Sequence, residues 1–201
     1  MIARLDLARA VAVLAAGEVV AIPTDTVYGL AASLDQPAAV ARIFGLKSRP
    51  PTTALPVLVD DPARAAALGV TWDARAAALV RAFWPGALTI VVPAPDELAR
   101  RVGGSGALGL RQPDDATARA LLARTGPLAT TSANEHGDPP CTSAEEVDAV
   151  FATREGLAGV LDDGPRRATV STVVVLEADG WRVAREGAVS EAALAAVLDR
   201  Y

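Results

Sequence analysis

The chain has 201 residues, 51% hydrophobic and 21% charged, with 16 Gly and 14 Pro, which suits one compact domain with a full core. Nineteen Lys and Arg against 24 Asp and Glu leave a net charge of -5, which argues against a surface that holds nucleic acid by counterion release, while a local basic pocket stays open. A single Cys (Cys141) and a single His (His136) exclude a disulfide framework and a Cys/His zinc cluster, and no stretch approaches the roughly 18 apolar residues of a membrane span, so a soluble cytoplasmic protein with no membrane contact is expected.

Asp6 and Arg9 interrupt the first apolar stretch and argue against a secretory signal. Residues 4 to 16 are good helix formers that stop at Gly17. Val19 to Ile22 reads as a buried strand that delivers Thr24-Asp25-Thr26 beyond Pro23, where ligand loops of open α/β sheets often sit. Gln36 to Leu46 reads as a helix with Pro37 in its first turn, and the prolines at 50 and 51 predict an extended segment after it. Leu55 to Val59 and Ala87 to Val92 are strand candidates, separated by a helix from Asp73 to Phe83 and a turn at Trp84-Pro85-Gly86. A helical Asp96 to Val102, a strand Leu108 to Arg111, a helix Asp114 to Arg124 and a strand Leu128 to Thr131 follow. Ser143 and Glu146 have capping-box spacing for a helix to about residue 152, and Ser190 caps the last helix, Glu191 to Leu198. Val160-Leu161, Val170 to Leu176 and Trp181 to Ala184 are late strands, the last two paired through Ala178-Asp179-Gly180. Strands both alternate with helices and follow one another directly, which predicts a mixed α/β sheet.

Gly104 to Gly109 matches G-x-G-x-x-G, yet it lies between a helix and a strand, the reverse of the dinucleotide order, and reads as a flexible loop. Lys47, the sole lysine, follows Leu46 and not Gly, so there is no Walker A loop. Lys47 and Arg49 stand at i and i+2; in an extended segment both would face one anion, and otherwise they form a solvated basic loop. Ser132 and Asn134 repeat that spacing with neutral groups, as a site or as an Asx-type turn. Asp25 is either a metal-binding carboxylate or a cap on its own backbone. Taken together, Lys47, Arg49, Arg111 and Arg185 with Thr24, Ser132, Asn134, Ser171 and Thr172 suit a pocket for a small, strongly anionic ligand. With no Ser-His-Asp set and no paired Cys, chemistry here rests on positioning and charge stabilisation rather than on a protein nucleophile; His136 beside Gly137 is a base or a solvated loop residue.

In combination, Pro-Thr-Asp-Thr-Val-Tyr-Gly-Leu (23 to 30), Lys-Ser-Arg-Pro (47 to 50), Trp-Pro-Gly-Ala-Leu-Thr (84 to 89), Leu-Arg-Gln-Pro (110 to 113), Thr-Ser-Ala-Asn (131 to 134), Ser-Thr-Val-Val (171 to 174) and Arg-Glu-Gly-Ala (185 to 188) resemble, in order, the YrdC/TsaC family. These are the threonylcarbamoyl-adenylate synthases of the tRNA t6A pathway, and the resemblance spans nearly the whole chain. It implies one YrdC-like domain over residues 1–201, of the short single-domain type, with a twisted mixed sheet flanked by helices around a large concave cavity. It also implies formation of threonylcarbamoyl-AMP and pyrophosphate from L-threonine, bicarbonate and ATP, with Mg2+ accompanying ATP. Lys47, Arg49, Ser132 and Asn134 would then surround the ATP and carbonate end, Thr24, Arg111 and Ser171 the threonine, and Arg185 the nucleotide. Downstream t6A transferase proteins are the implied partners.

Three positions depart from the family pattern: Ala54 stands where a Pro-Leu pair often begins, His136 where a Ser is common, and Val175 where an Asp often follows. They motivate an alternative, a paralogue that uses another amine or carbamoyl donor. A third reading, an RNA- or nucleotide-binding module, predicts salt-sensitive RNA affinity without ATP turnover.

Overall fold

In the computed structural model, which describes residues 1–48, 50, 52–135 and 137–201, the chain opens as strand β1 (Arg4–Leu5) where helix is expected. Asp6 is the reason. Its carboxylate accepts the Arg9 N–H at 2.8 Å and caps α1 (Leu7–Ala15), so the residues before it are free to pair with a neighbouring strand. Then come β2 (Val19–Ile22), β3 (Gly29–Ser33), α2 (Pro37–Leu46), β4 (Val57–Leu58), the short α3 (Arg64–Ala67) and α4 (Ala74–Phe83). The chain continues through β5 (Leu88–Pro93), α5 (Asp96–Arg101), β6 (Ala107–Arg111), α6 (Ala116–Thr125) and β7 (Leu128–Ser132). It ends with α7 (Ala144–Phe151), β8 (Leu157–Leu161), β9 (Thr172–Glu177), β10 (Gly180–Arg185) and α8 (Glu191–Leu198).

Side-chain caps place most helix starts. Asp73 and Asp115 accept the N–H groups of Ala76 and Ala118, each at 2.7 Å, and Ser143 and Ser190 do the same more loosely, at 3.3 Å. The capping box before α7 closes one residue early: Glu146 takes the Thr142 N–H at 2.6 Å and not that of Ser143. The strand expected over 55–59 is only two residues long, since Pro56 has no N–H to give to a ladder.

All ten strands join one mixed sheet, in the order β1, β8, β2, β3, β7, β4, β6, β5, β9, β10. Parallel pairing (β1 with β8, β8 with β2, β4 with β6, β5 with β9) is combined with antiparallel pairing elsewhere. The two faces follow the period of two. Leu88, Ile90 and Val92 of β5, Leu108 and Leu110 of β6, and Val57 of β4 face the larger core, beneath α2, α4, α7 and α8. On the opposite face Val20, Ile22, Ala31 and Leu128 pack against Leu14 of α1 and Leu121 and Leu122 of α6. Full burial of a leucine such as Leu14 contributes about 1.5–3 kcal/mol. That second cluster of helices covers only the β1-to-β7 end, and the rest of the face curves around a cavity. No helix among the described residues is long and apolar enough to cross a membrane.

Candidate active site

The cavity holds about 340 Å³, the size of a small-ligand pocket. Its walls are the alternate residues left over from the core: Thr89 and Val91 of β5, Gly109 and Arg111 of β6, Thr130 and Ser132 of β7. The Gly104 to Gly109 stretch, expected as a flexible loop, forms a wall of it, and its last three residues lie in β6. Space is tight at its last residue: a Cβ on Gly109 would stand 3.2 Å from Thr89 Cγ2, which would have to give by a few tenths of an ångström.

At one end of the cavity Arg111, 6% exposed, closes strand β6. Its Nε donates to the Gly86 carbonyl at 3.0 Å, one terminal nitrogen to Thr26 Oγ1 at 3.1 Å, and the other to Asp25 Oδ1 at 2.5 Å. Asp25 is thus the counter-ion of Arg111, where a metal ligand or a local backbone cap was the expectation. Thr24 Oγ1 accepts the Val27 N–H at 3.2 Å and donates to the Val27 carbonyl at 2.7 Å, so it locks the turn that presents Asp25 and Thr26. Burial pushes the Arg111 guanidinium below its ordinary value, Asp25 opposes that shift, and the nearby charge of Arg185 adds to it. Two guanidinium charges therefore face one carboxylate, which leaves this end positive. Arg185 ends β10 and reaches across to donate to the Ser171 carbonyl at 2.9 Å and to Ser171 Oγ at 2.8 Å. Ser171 Oγ in turn is bonded to Thr89 Oγ1 at 3.2 Å.

The second cluster gathers where β7 ends. Lys47 is 2% exposed, and its ammonium donates to the Ser132 carbonyl at 2.5 Å, the Asn134 carbonyl at 2.8 Å and Asn134 Oδ1 at 2.6 Å. Ser132 Oγ donates to the same Oδ1 at 2.6 Å, and the Asn134 amide donates to the Asp138 carbonyl at 2.6 Å. The segment is not extended at its start: Lys47 is in a right-handed conformation as the cap residue of α2, and Ser48 has φ +49°. A helix that ends in a turn, and not a strand, aims the lysine at β7.

Thr24, Arg111, Ser132, Ser171 and Arg185 all line the one cavity, whereas Thr172, expected with them, does not and donates its hydroxyl to the Val189 carbonyl at 2.7 Å. Lys47 and Asn134 join it through Ser132, one layer behind the wall. Arg49 and His136 lie outside the described residues. Thr89 and Thr130 are polar wall residues that the sequence pattern did not single out; the signal at Thr89 was a hydroxyl at a cavity-facing position of an otherwise apolar strand.

A sequence model of the family described as Telomere recombination (Sua5/YciO/YrdC) matches residues 12–187. The chain belongs to the Sua5/YciO/YrdC family. A Bacillus subtilis protein named threonylcarbamoyl-AMP synthase is 38% identical to this family member over 197 residues, which make up 96% of this chain and 56% of that protein. A Mycobacterium leprae relative is 40% identical over 195 residues, 96% of this chain and 87% of its own length. Pyrococcus abyssi Sua5, solved in complex with L-threonine, superposes with a TM-score of 0.88 at 32% identity, over 97% of this chain and 58% of that one. Escherichia coli YciO shares the fold, with a TM-score of 0.82 at 24% identity over 92% of this chain and 90% of its own. The Sua5/YciO/YrdC chain described here thus spans little more than half of the Bacillus and Pyrococcus proteins.

Proposed function

We propose that the chain is an ATP-dependent threonylcarbamoyl-AMP synthase that makes the adenylate for tRNA t6A modification, in the cytoplasm and upstream of t6A transferase proteins. The observation that carries this reading is the meeting of two polar clusters on one cavity: Arg111, Ser171 and Arg185 at one end, and Ser132 backed by Lys47 and Asn134 at the other. Threonine carbamate and ATP are both anionic and repel one another in water, so a pocket with cations at both ends lowers the cost of bringing them together.

The threonine amine takes up bicarbonate with loss of water to give a carbamate. A carbamate oxygen then attacks the ATP α-phosphorus, the bond to the bridging oxygen breaks, and pyrophosphate leaves. Arg111 and Arg185, with Thr24 shaping the turn beside them, hold the threonine carboxylate and the nucleotide. Lys47 acts as a fixed positive charge beneath the end of β7, the family resemblance gives Arg49 a part in holding the same anions, and Ser132 and Asn134 orient the carbamate and the reacting phosphate. Among the described residues no group of three His, Cys, Asp or Glu stands together to hold an ion without the substrate, and Asp25 is taken by Arg111. Mg2+ is assigned to the ATP phosphates as part of the substrate, and no step is routed through a protein-held ion.

Incubation with threonine, isotopically labelled bicarbonate and Mg-ATP is expected to release pyrophosphate and give an adenylate that carries the label, read by mass spectrometry. No threonine-dependent product refutes the assignment. The second reading, a paralogue with another amine substrate, is favoured by the place of Ala54, a departure from the family pattern that lines the cavity itself. A product with a different amine in the same assay decides for it, and salt-sensitive RNA binding without turnover decides for an RNA-binding module.

A further inference from the structure

Arg154 lies outside the cavity, just past the end of α7, and it touches both chain segments that build the Lys47 cluster. One terminal nitrogen donates to the Leu46 carbonyl at 2.7 Å, and the other is paired with the Glu135 carboxylate. Leu46 is the last residue of α2 and directly precedes Lys47; Glu135 directly follows Asn134. A single planar fork therefore ties the residue before the lysine to the residue after the asparagine. The fork is itself aimed, because the guanidinium carbon stands 5.8 Å from the ring centre of Phe151, a fully buried residue of α7. The Leu46 carbonyl is among those a helix leaves unsatisfied at its C-terminus, where a cation is favoured.

The geometry behind Ser132 needs such a tie. Three short bonds from one ammonium require the end of α2 and the end of β7 to hold a fixed separation. A flexible four-carbon stem does not impose that separation by itself.

We propose that Arg154 and Glu135 form a clamp that positions Lys47 against Asn134. Both are positioning residues, since neither lines the cavity. The consequence for turnover rests on the reading of Lys47 and Asn134 as the charge and hydrogen bonds that act on the reacting anions from behind Ser132, whereas the first test below does not depend on it.

Because Lys47 is the only lysine, lysine labelled at Cε and Nζ gives one side-chain resonance. In Arg154→Ala that resonance is expected to move, and exchange of the ammonium protons with water to rise by about tenfold or more, as for a local opening. The melting temperature should fall by less than about 4 °C, as for loss of a partly exposed ion pair. Arg154→Lys keeps the charge without the fork; it adds a second lysine and is therefore read in turnover alone, where it should restore only part of kcat, and Glu135→Gln provides a second variant that removes the same ion pair from the other side. In turnover, kcat should fall between about tenfold and about a hundredfold with KM for threonine unchanged. In a Lys47→Ala background, Arg154→Ala should add no further loss. An unmoved lysine resonance in folded Arg154→Ala and Glu135→Gln overturns the clamp, and so do losses that add to that of Lys47→Ala. If the unmodified protein makes no adenylate, the functional reading fails and the resonance alone decides the clamp.

Discussion

Replacing Asp25 with alanine isolates the ion pair at the cavity's positive end. Arg111 is 6% exposed and the Asp25 side chain 14%, so the pair is largely out of water. Without the carboxylate, the guanidinium keeps only the neutral oxygens of Thr26 and Gly86. Breaking a buried pair from one side costs about 3–5 kcal/mol, and the residual contact of Asp25 with solvent places this case at the low end, about 3 kcal/mol. For a chain of this length that is a drop in melting temperature of about 6–12 °C. Thermal and urea unfolding followed by circular dichroism measure it, with the urea slope expected to stay constant. Asp25→Asn, which retains an acceptor, should lose less. The double variant Asp25→Ala/Arg111→Met should be more stable than Asp25→Ala alone, because the damage lies in the uncompensated charge and not in the lost contact. A melting temperature for Asp25→Ala within about 2 °C of the parent, or a double variant no better than the single, refutes the reasoning.

Gly187→Ala should disturb the site without touching a polar group: a Cβ there would collide with the Val170 carbonyl and stand 2.5 Å from backbone atoms of Ser171 and Thr172, so Ser171 must shift. Steady-state kinetics should show a raised KM for threonine, and an unchanged KM would contradict this. Burial pushes the Cys141 thiol up to about 11, so the folded protein should resist iodoacetamide at pH 8 while the unfolded chain reacts. Because the folded state holds this proton more tightly, its contribution to stability is complete below the ordinary thiol range near pH 9 and is lost as the pH rises through about 11. Urea midpoints of the parent and Cys141→Ala across that range test the sign.

Much of the fold is legible in local signals. Aspartates at 73 and 115 and serines at 143 and 190 mark helix starts by supplying an acceptor that the first turn lacks, and alternation in β5 and β6 separates the core face from the cavity face. β3 is not legible. Gly-Leu-Ala-Ala-Ser has weak strand preference, and it is a strand because β2 and β7 pair with it from both sides and bury all five residues.

The site divides in the same way. Ser132 and Asn134 declare themselves by spacing at a strand end, and Arg111 and Arg185 by closing apolar strands. What the ammonium of Lys47 touches is hidden, since two of its acceptors are backbone carbonyls and every residue carries one. The partnership of Asp25 with Arg111 joins positions 86 apart, and neither neighbourhood announces it.

The helices α1 and α6 seal Val20, Ile22 and Leu128 and stop short of Thr130, Gly109 and Thr89. The protein therefore folds with one layer unfinished, and whatever docks there completes the sandwich. A guest at a hundred times its dissociation constant adds about 2.7 kcal/mol to the free energy of unfolding. Heat resistance thus becomes a detector: amino acids, nucleotides and their conjugates can be ranked by how far each delays melting, before any of them is asked to react.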